Sequence, residues 1–180
     1  IEDLLRQTIE RLPQPLQEAL KVASCMGDEI DDSALDLVLL TSTGKYLEQA
    51  ADEGLLTFFP QFGGYRFAHS WIRQTAFEMI PEDERDAFYL KIGRRLWKAS
   101  SPAVRDKNIF MIVSLLNKAL LTITDVRERY KVAELNLRAA EQAIEVAAFP
   151  YASRFLKKGI QLLGESRWKD QYDLSLAVYS

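Results

Sequence analysis

The sequence predicts a mainly α chain in two parts: helices closing around one small β-hairpin, then a helical array. Three observations carry this. Apolar residues recur at helical spacing through most of residues 1–54 and again from 69 to 99. The period changes once, in the aromatic stretch "LLTFFPQFGGYRFA", residues 55–68. Beyond "SSPAVRDK", residues 100–107, every segment returns to helical spacing.

Leu4, Leu5, Ile9 and Leu12 share one helical face before Pro13 and Pro15 break the helix. Pro15 suits the first turn of the next helix, on which Leu16, Leu20 and Ala23 recur until Gly27. Ser33 and Asp36 form an S-x-x-D capping box ahead of an apolar run to Leu40. Ser42 or Thr43 then caps a helix carrying Tyr46 or Leu47 with Ala50 and Ala51, and Gly54 stops it. Two β-rich runs flanking Gly63-Gly64 read as a hairpin. Helical spacing resumes from His69 through Ile72, Ala76, Met79 and Ile80. Pro81 and the carboxylates of "EDE" open a further helix bearing Phe88, Ile92 and Leu96. Three helices, a hairpin and more helix is the order of a winged-helix-like domain over residues 1–100.

Residues 100–107 read as a short linker, and residues 107–180 as a second region. Ile109, Ile112, Val113, Leu116 and Leu120 line one stripe. Val126, Tyr130, Ala133, Leu137, Ala140, Ile144 and Ala147 recur in steps of four and three. Small Ala140, Ala152 and Gly159 around large Leu156, followed by Trp168-x-x-x-Tyr172, resemble a tetratricopeptide-like helix array. In such pairs, small residues stand where helices touch.

Bulk properties exclude several classes. A chain of 180 residues, 48% hydrophobic and 27% charged, has an ordinary globular composition, and its net charge of −3 gives no basic footprint for nucleic acid. The single cysteine, Cys25, rules out an internal disulfide framework. The longest apolar stretch, residues 109–123, is shorter than the roughly 20 residues of a membrane span and is interrupted by Ser114, Asn117 and Lys118. Residues 1–12 are charged and amphipathic rather than leader-like, and both ends read as helix. A cytoplasmic piece of a longer protein, without membrane contact, is therefore expected.

Catalytic motifs do not assemble. "TSTGKY", residues 41–46, ends in Gly-Lys but lacks the first glycine of a phosphate loop, and Tyr46 stands where a magnesium-binding hydroxyl belongs. The helix after it carries Glu48, Asp52 and Glu53 against one lysine, which argues against DNA as a partner. Cys25 reads as a buried structural thiol, no G-x-S-x-G elbow exists, and one His with one Cys cannot make a metal site. "PEDERD", residues 81–86, reads as a solvated helix start. The sole histidine, His69, stands where the strand-like run turns into helix, and its local reading is helix entry.

"YRFAHSWIRQTAFEMIPEDERDAFYLKIGRRLW", residues 65–97, resembles the segment that follows the ATPase core in signalling ATPases of the STAND class, including AAA-type modules of multidomain kinases. Phe67, His69, Thr75-Ala76-Phe77, Ile80-Pro81-Glu82, Arg85 and Ile92-Gly93-Arg94 occupy the matching positions, with Ser70 where Asp is usual and Tyr89 where His is common. The helical region downstream is similar as well, so the resemblance spans most of residues 10–180. It implies a non-catalytic regulatory and interaction segment that couples nucleotide state to effector domains. It also implies that His69 reaches the β-phosphate of an ADP held by an ATPase core outside this chain. ATP or ADP would be the parent's cofactor, with none bound by this chain alone. The partners implied are an upstream ATPase core, downstream effector or repeat domains, and other proteins on the helical array. A winged-helix transcription regulator and a passive helical scaffold are the rival readings.

Overall fold

The computed structural model describes residues 2–61 and 63–164. The chain divides into two compact units, Ile1–Ser100 and Ser101–Ser180. The first is built from α1 (Glu2–Glu10), α2 (Gln14–Met26), β1 (Glu29–Ile30), α3 (Asp32–Leu39), α4 (Gly44–Asp52), β2 (Leu56–Phe59), β3 (Gly64–Phe67), α5 (Ser70–Glu78), a 3-10 turn (Glu82–Glu84) and α6 (Arg85–Ala99).

Helix α2 is the core of this unit. Leu16, Ala19, Leu20 and Ala23 are fully buried, and the helix packs against α3, α4, α5 and β1. Pro13 precedes it in extended conformation (ψ 141°), so the two prolines that break α1 also begin α2. Gln17 is buried and donates from Nε2 to the carbonyls of Glu10 (3.0 Å) and Leu12 (2.8 Å). Those carbonyls have no partner within α1, so one amide closes the end of one helix from inside the next. Leu5, Ile9 and Leu12 face the core as expected, whereas Leu4 is exposed.

The N-terminus of α3 corrects one expectation. Its cap is Asp31, whose carboxylate accepts the Ala34 N–H (3.2 Å), not Ser33. Because the helix starts at Asp32, Ser33 lies inside the first turn and Asp36 a turn further on. The Asp36 carboxylate instead takes the Thr43 N–H (2.7 Å) and hydroxyl (2.6 Å). Thr43 does stand at the cap position of α4, but it makes no side-chain cap bond, since its hydroxyl is given to Asp36.

Strands β2 and β3 form the expected hairpin, with Leu56 opposite Phe67 and Phe59 opposite Gly64. Gly63 supplies the turn with φ 65°, a conformation that glycine adopts without strain. A third strand was not expected: β1 pairs antiparallel with β3, giving the order β1-β3-β2. At two residues it is too short to show a period in sequence. Across this pair, Glu29 and Arg66 stand opposite and form an ion pair.

The second unit contains α7 (Pro102–Lys107), α8 (Ile109–Lys118), a 3-10 turn (Leu120–Thr122), α9 (Val126–Glu145) and α10 (Phe149–Leu163). Helix α7 replaces the expected linker. Ser101 caps it, its hydroxyl accepting the Val104 N–H (3.4 Å), and Pro102 occupies its first turn. The α8 stripe is buried as expected, from Ile109 through Leu120. The α9 stripe is rotated from the expected one. Val132, Ala133, Leu135, Asn136, Ala139, Ala140 and Ala143 are buried, while Val126 and Ile144 are exposed. Helix α9 packs against both α8 and α10, so its buried face is wider than a single stripe and is mostly alanine.

Of the residues expected at a repeat seam, Ala140, Ala152 and Gly159 are buried, and Leu156 is half-buried. Trp168 and Tyr172 lie outside the described residues. Between α9 and α10, Ala147 takes a left-handed conformation (φ 56°), which lets the Ala148 N–H reach the Ala143 carbonyl (2.7 Å) and closes α9. Two polar contacts fix the unit further. The fully buried Asn136 exchanges amide hydrogen bonds with Asn117 (2.8 and 3.0 Å) and donates to the Val132 carbonyl (2.9 Å). Arg129 donates to the carbonyls of Leu162 (3.0 Å) and Gln161 (3.1 Å) at the end of α10, and to Ile123 (3.3 Å) before α9.

A single guanidinium thus ties three carbonyls from two segments. Arg129→Ala should lower stability to urea by about 1.5–3 kcal/mol, the range for hydrogen bonds to a charged group. Arg129→Lys should recover only part of that loss, because a compact ammonium cannot span the same fork. Urea unfolding followed by far-ultraviolet dichroism measures both.

Candidate functional site

His69 follows directly on the sheet. The Ala68 N–H bonds the Leu55 carbonyl (3.0 Å), extending the β2–β3 ladder by one residue. His69 is then extended (φ −145°, ψ 150°), and its carbonyl accepts from Ile72 (3.1 Å), which begins α5. It therefore holds the N-cap position that its place in the sequence suggests. Its side chain makes no cap hydrogen bond. The imidazole is exposed and stacks on Trp71, with ring centroids 5.6 Å apart and planes 9° from parallel. Trp71 is itself exposed, because α5 turns Ile72, Thr75 and Ala76 toward the core and leaves residues 69–71 outside.

The cations nearest in sequence are committed elsewhere. Arg66 pairs with Glu29, and Arg73 pairs with Asp28. The site is thus an exposed imidazole on an indole at the start of a nine-residue helix, whose N–H groups carry positive partial charge. Such an end favours an anion.

The rejected motifs keep their ordinary roles. Gly44 begins α4, and Thr43 is bound to Asp36, so residues 41–43 end the turn after α3 and residues 44–46 are the first turn of α4. Glu48, Asp52 and Glu53 are exposed on or just after α4. The Tyr65 hydroxyl is held above its usual pKa first by burial, then by the charges of Glu48, Asp32 and Asp52. Cys25 is buried, and the Tyr89 hydroxyl is raised above its usual pKa by burial and then by the Cys25 charge. The Tyr89 ring packs on Phe77 at 6.1 Å. Glu82, Asp83 and Glu84 are exposed, as a solvated helix start requires. Among the described residues, no group of three or more His, Cys, Asp and Glu is placed to hold a metal ion. No helix among them is long and apolar enough to cross a membrane.

A second feature, in the helical unit, escaped sequence reasoning. Phe110 and Ser114 of α8, Val146 at the end of α9, and Tyr151 and Phe155 of α10 line an apolar groove of about 270 Å³. Phe110 and Phe155, both in its lining, stack with ring centroids 5.8 Å apart. Val146 is 70% exposed and Tyr151 56%, so the groove opens to solvent through its apolar side chains. The signal in the sequence is the run "IEVAAFPY", residues 144–151, whose large apolar residues fall off every buried stripe.

No family model matches the chain. No curated protein matches it either. Among solved structures, the chain is similar to a signal transduction ATPase with numerous domains, a STAND protein with a tetratricopeptide repeat sensor, from Pyrococcus horikoshii. The two share 17% identity at a TM-score of 0.59, and the match covers 99% of this chain and 30% of that one. The likeness is one of fold, and this chain spans less than a third of the length of that protein.

Proposed function

We propose that this chain is a non-catalytic regulatory and protein-interaction segment of a larger signalling ATPase. The observation that carries the interaction role is the solvent-open groove lined by Phe110, Val146, Tyr151 and Phe155. Soluble domains seldom leave large aromatic side chains around a concavity without a partner to cover them. The solved protein with the similar fold is described as a signalling ATPase with a repeat sensor, which supports the same reading.

On this proposal, residues 1–100 are a winged-helix-like domain and residues 107–180 a repeat-like array. The succession of α2, β1, α3, α4, β2 and β3, with the strands in one sheet, supports the first assignment. The small-residue seam of α9 and α10 supports the second. The ATPase core would lie elsewhere in a cytoplasmic parent, with effector or repeat domains beyond. His69 would meet the β-phosphate of ADP bound to that core. An exposed imidazole held flat on Trp71, at a helix N-terminus, suits that contact better than it suits a structural cap. The acidic exposed residues of α4 favour this reading over a DNA-binding one.

Two outcomes follow. His69→Ala should shift the stability of this chain by less than about 1 kcal/mol, since an exposed ring with no cap bond leaves little to lose. In the full-length protein it should speed ADP release by roughly ten- to a hundredfold, the equivalent of a charge-assisted bond of about 1.5–3 kcal/mol. Unchanged ADP release in the mutant would reduce His69 to a backbone helix start.

The groove should bind the apolar dye anilinonaphthalene sulfonate in the native state, with enhanced fluorescence. The double substitution Val146→Asp and Tyr151→Asp should abolish most of that enhancement while leaving thermal unfolding nearly unchanged, because both side chains are largely exposed. Equal fluorescence in the double mutant would remove the groove from the account.

A further inference from the structure

The second half of α6 has an unusual charge pattern. From Ala87 to Ala99 it carries Lys91, Arg94, Arg95 and Lys98 and no carboxylate. Spacings of three and four place all four on one side of the helix, where like charges repel. The negative end of the helix dipole accounts for Lys98, in the last turn. It does not account for Lys91, nearly two turns earlier. These four side chains line a cleft of about 510 Å³ together with Leu37 and Leu40, and no residue lining it is acidic. Arg95 donates to the Val38 carbonyl, which fixes the α6 side of the cleft to α3.

Leu40 is the second, independent observation. It is 71% exposed and lies in the left-handed region (φ 57°, ψ 34°). A γ-branched apolar residue is disfavoured there on both counts, and glycine would be the default. The turn after α3 needs only the Leu40 N–H, which bonds the Asp36 carbonyl (2.8 Å). Folding of this unit therefore gives no reason for the leucine side chain, whereas an apolar contact beside a row of cations does.

We propose that this cleft docks an acidic amphipathic segment of a partner protein. Its carboxylates meet Lys91 and Lys98, with Arg94 and Arg95 adding to the positive potential of the cleft, and one large apolar side chain seats against Leu37 and Leu40. Nucleic acid fits less well: a phosphate backbone gains nothing from two leucines, and the chain as a whole is anionic at −3. The inference does not depend on the nucleotide reading of His69 and survives its failure.

The test uses the whole 180-residue chain and a fluorescein-labelled amphipathic peptide of about five helical turns, with leucines on one face and glutamates elsewhere. Fluorescence anisotropy should show binding that weakens as salt rises. The pair Lys91→Glu and Lys98→Glu should weaken it by roughly tenfold or more. Leu40→Gly should weaken it by about tenfold while thermal unfolding stays equal or moves up, because glycine relieves the left-handed turn. That variant separates an apolar anchor from a fold defect. Binding unaffected by the charge reversal, or by Leu40→Gly, overturns the proposal. So does equal binding of a control peptide with lysine for glutamate. So does duplex DNA that binds more tightly than the peptide and depends on Lys91 and Lys98.

Discussion

The first unit depends on the burial of one helix from several sides at once. Nine of the thirteen residues of α2 are buried, and α3, α4, α5 and β1 all pack on it. A helix in that position must be apolar or small nearly all round, and must answer its own polar groups. Ala19 and Ala23 let neighbours approach, Gln17 bonds the carbonyls that end α1, and the Ser24 hydroxyl bonds the Lys21 carbonyl (2.7 Å). Once α2 is enclosed, the orientation of its neighbours follows. Helix α5 turns Ile72 and Ala76 inward, so His69 and Trp71 are left outside. Helix α6 turns Ile92 and Leu96 inward, so its cations are left to the surface and the cleft.

The second unit is held differently. Its central helix, α9, is packed on two sides by alanines, which allow closeness but bury little area each. Specific polar contacts supply what small side chains cannot. The Asn117–Asn136 amide pair fixes α8 against α9, and the Arg129 fork fixes the end of α10. Both are directional, so they set register as well as adding stability. Of the large apolar residues left off this alanine seam, Val146 and Tyr151 stand at the α9–α10 turn and line the groove.

Legibility in the sequence tracks how local the determining physics is. The α8 stripe was legible because its large apolar residues fall on one face. The α9 stripe was not, since two-sided packing by alanine broadens the buried face, and large residues such as Ile144 then mislead. Asp31, Asp32, Ser33 and Asp36 all have the chemistry of a cap, and only the backbone start at Asp32 decides that Asp31 performs it. Strand β1 is made by pairing with β3, thirty-odd positions away, and carries no signal of its own. The position of His69 at a helix start was legible; the exposure of its ring and its stack on Trp71 were not. The cations of α6 are visible in sequence, but only the fold sets Leu40 beside them.

Two exposed features are the ones proposed to be covered: the His69 imidazole stacked on Trp71, and the apolar groove of the helical unit. The covered state of the first can be read directly. Amide hydrogen exchange across residues 65–75 should be measured in the full-length protein with ADP and with a non-hydrolysable ATP analogue. If His69 meets the ADP phosphate as proposed, exchange at the start of α5 is slower in the ADP state. Identical exchange in the two states, with the nucleotide shown to be bound, would contradict it.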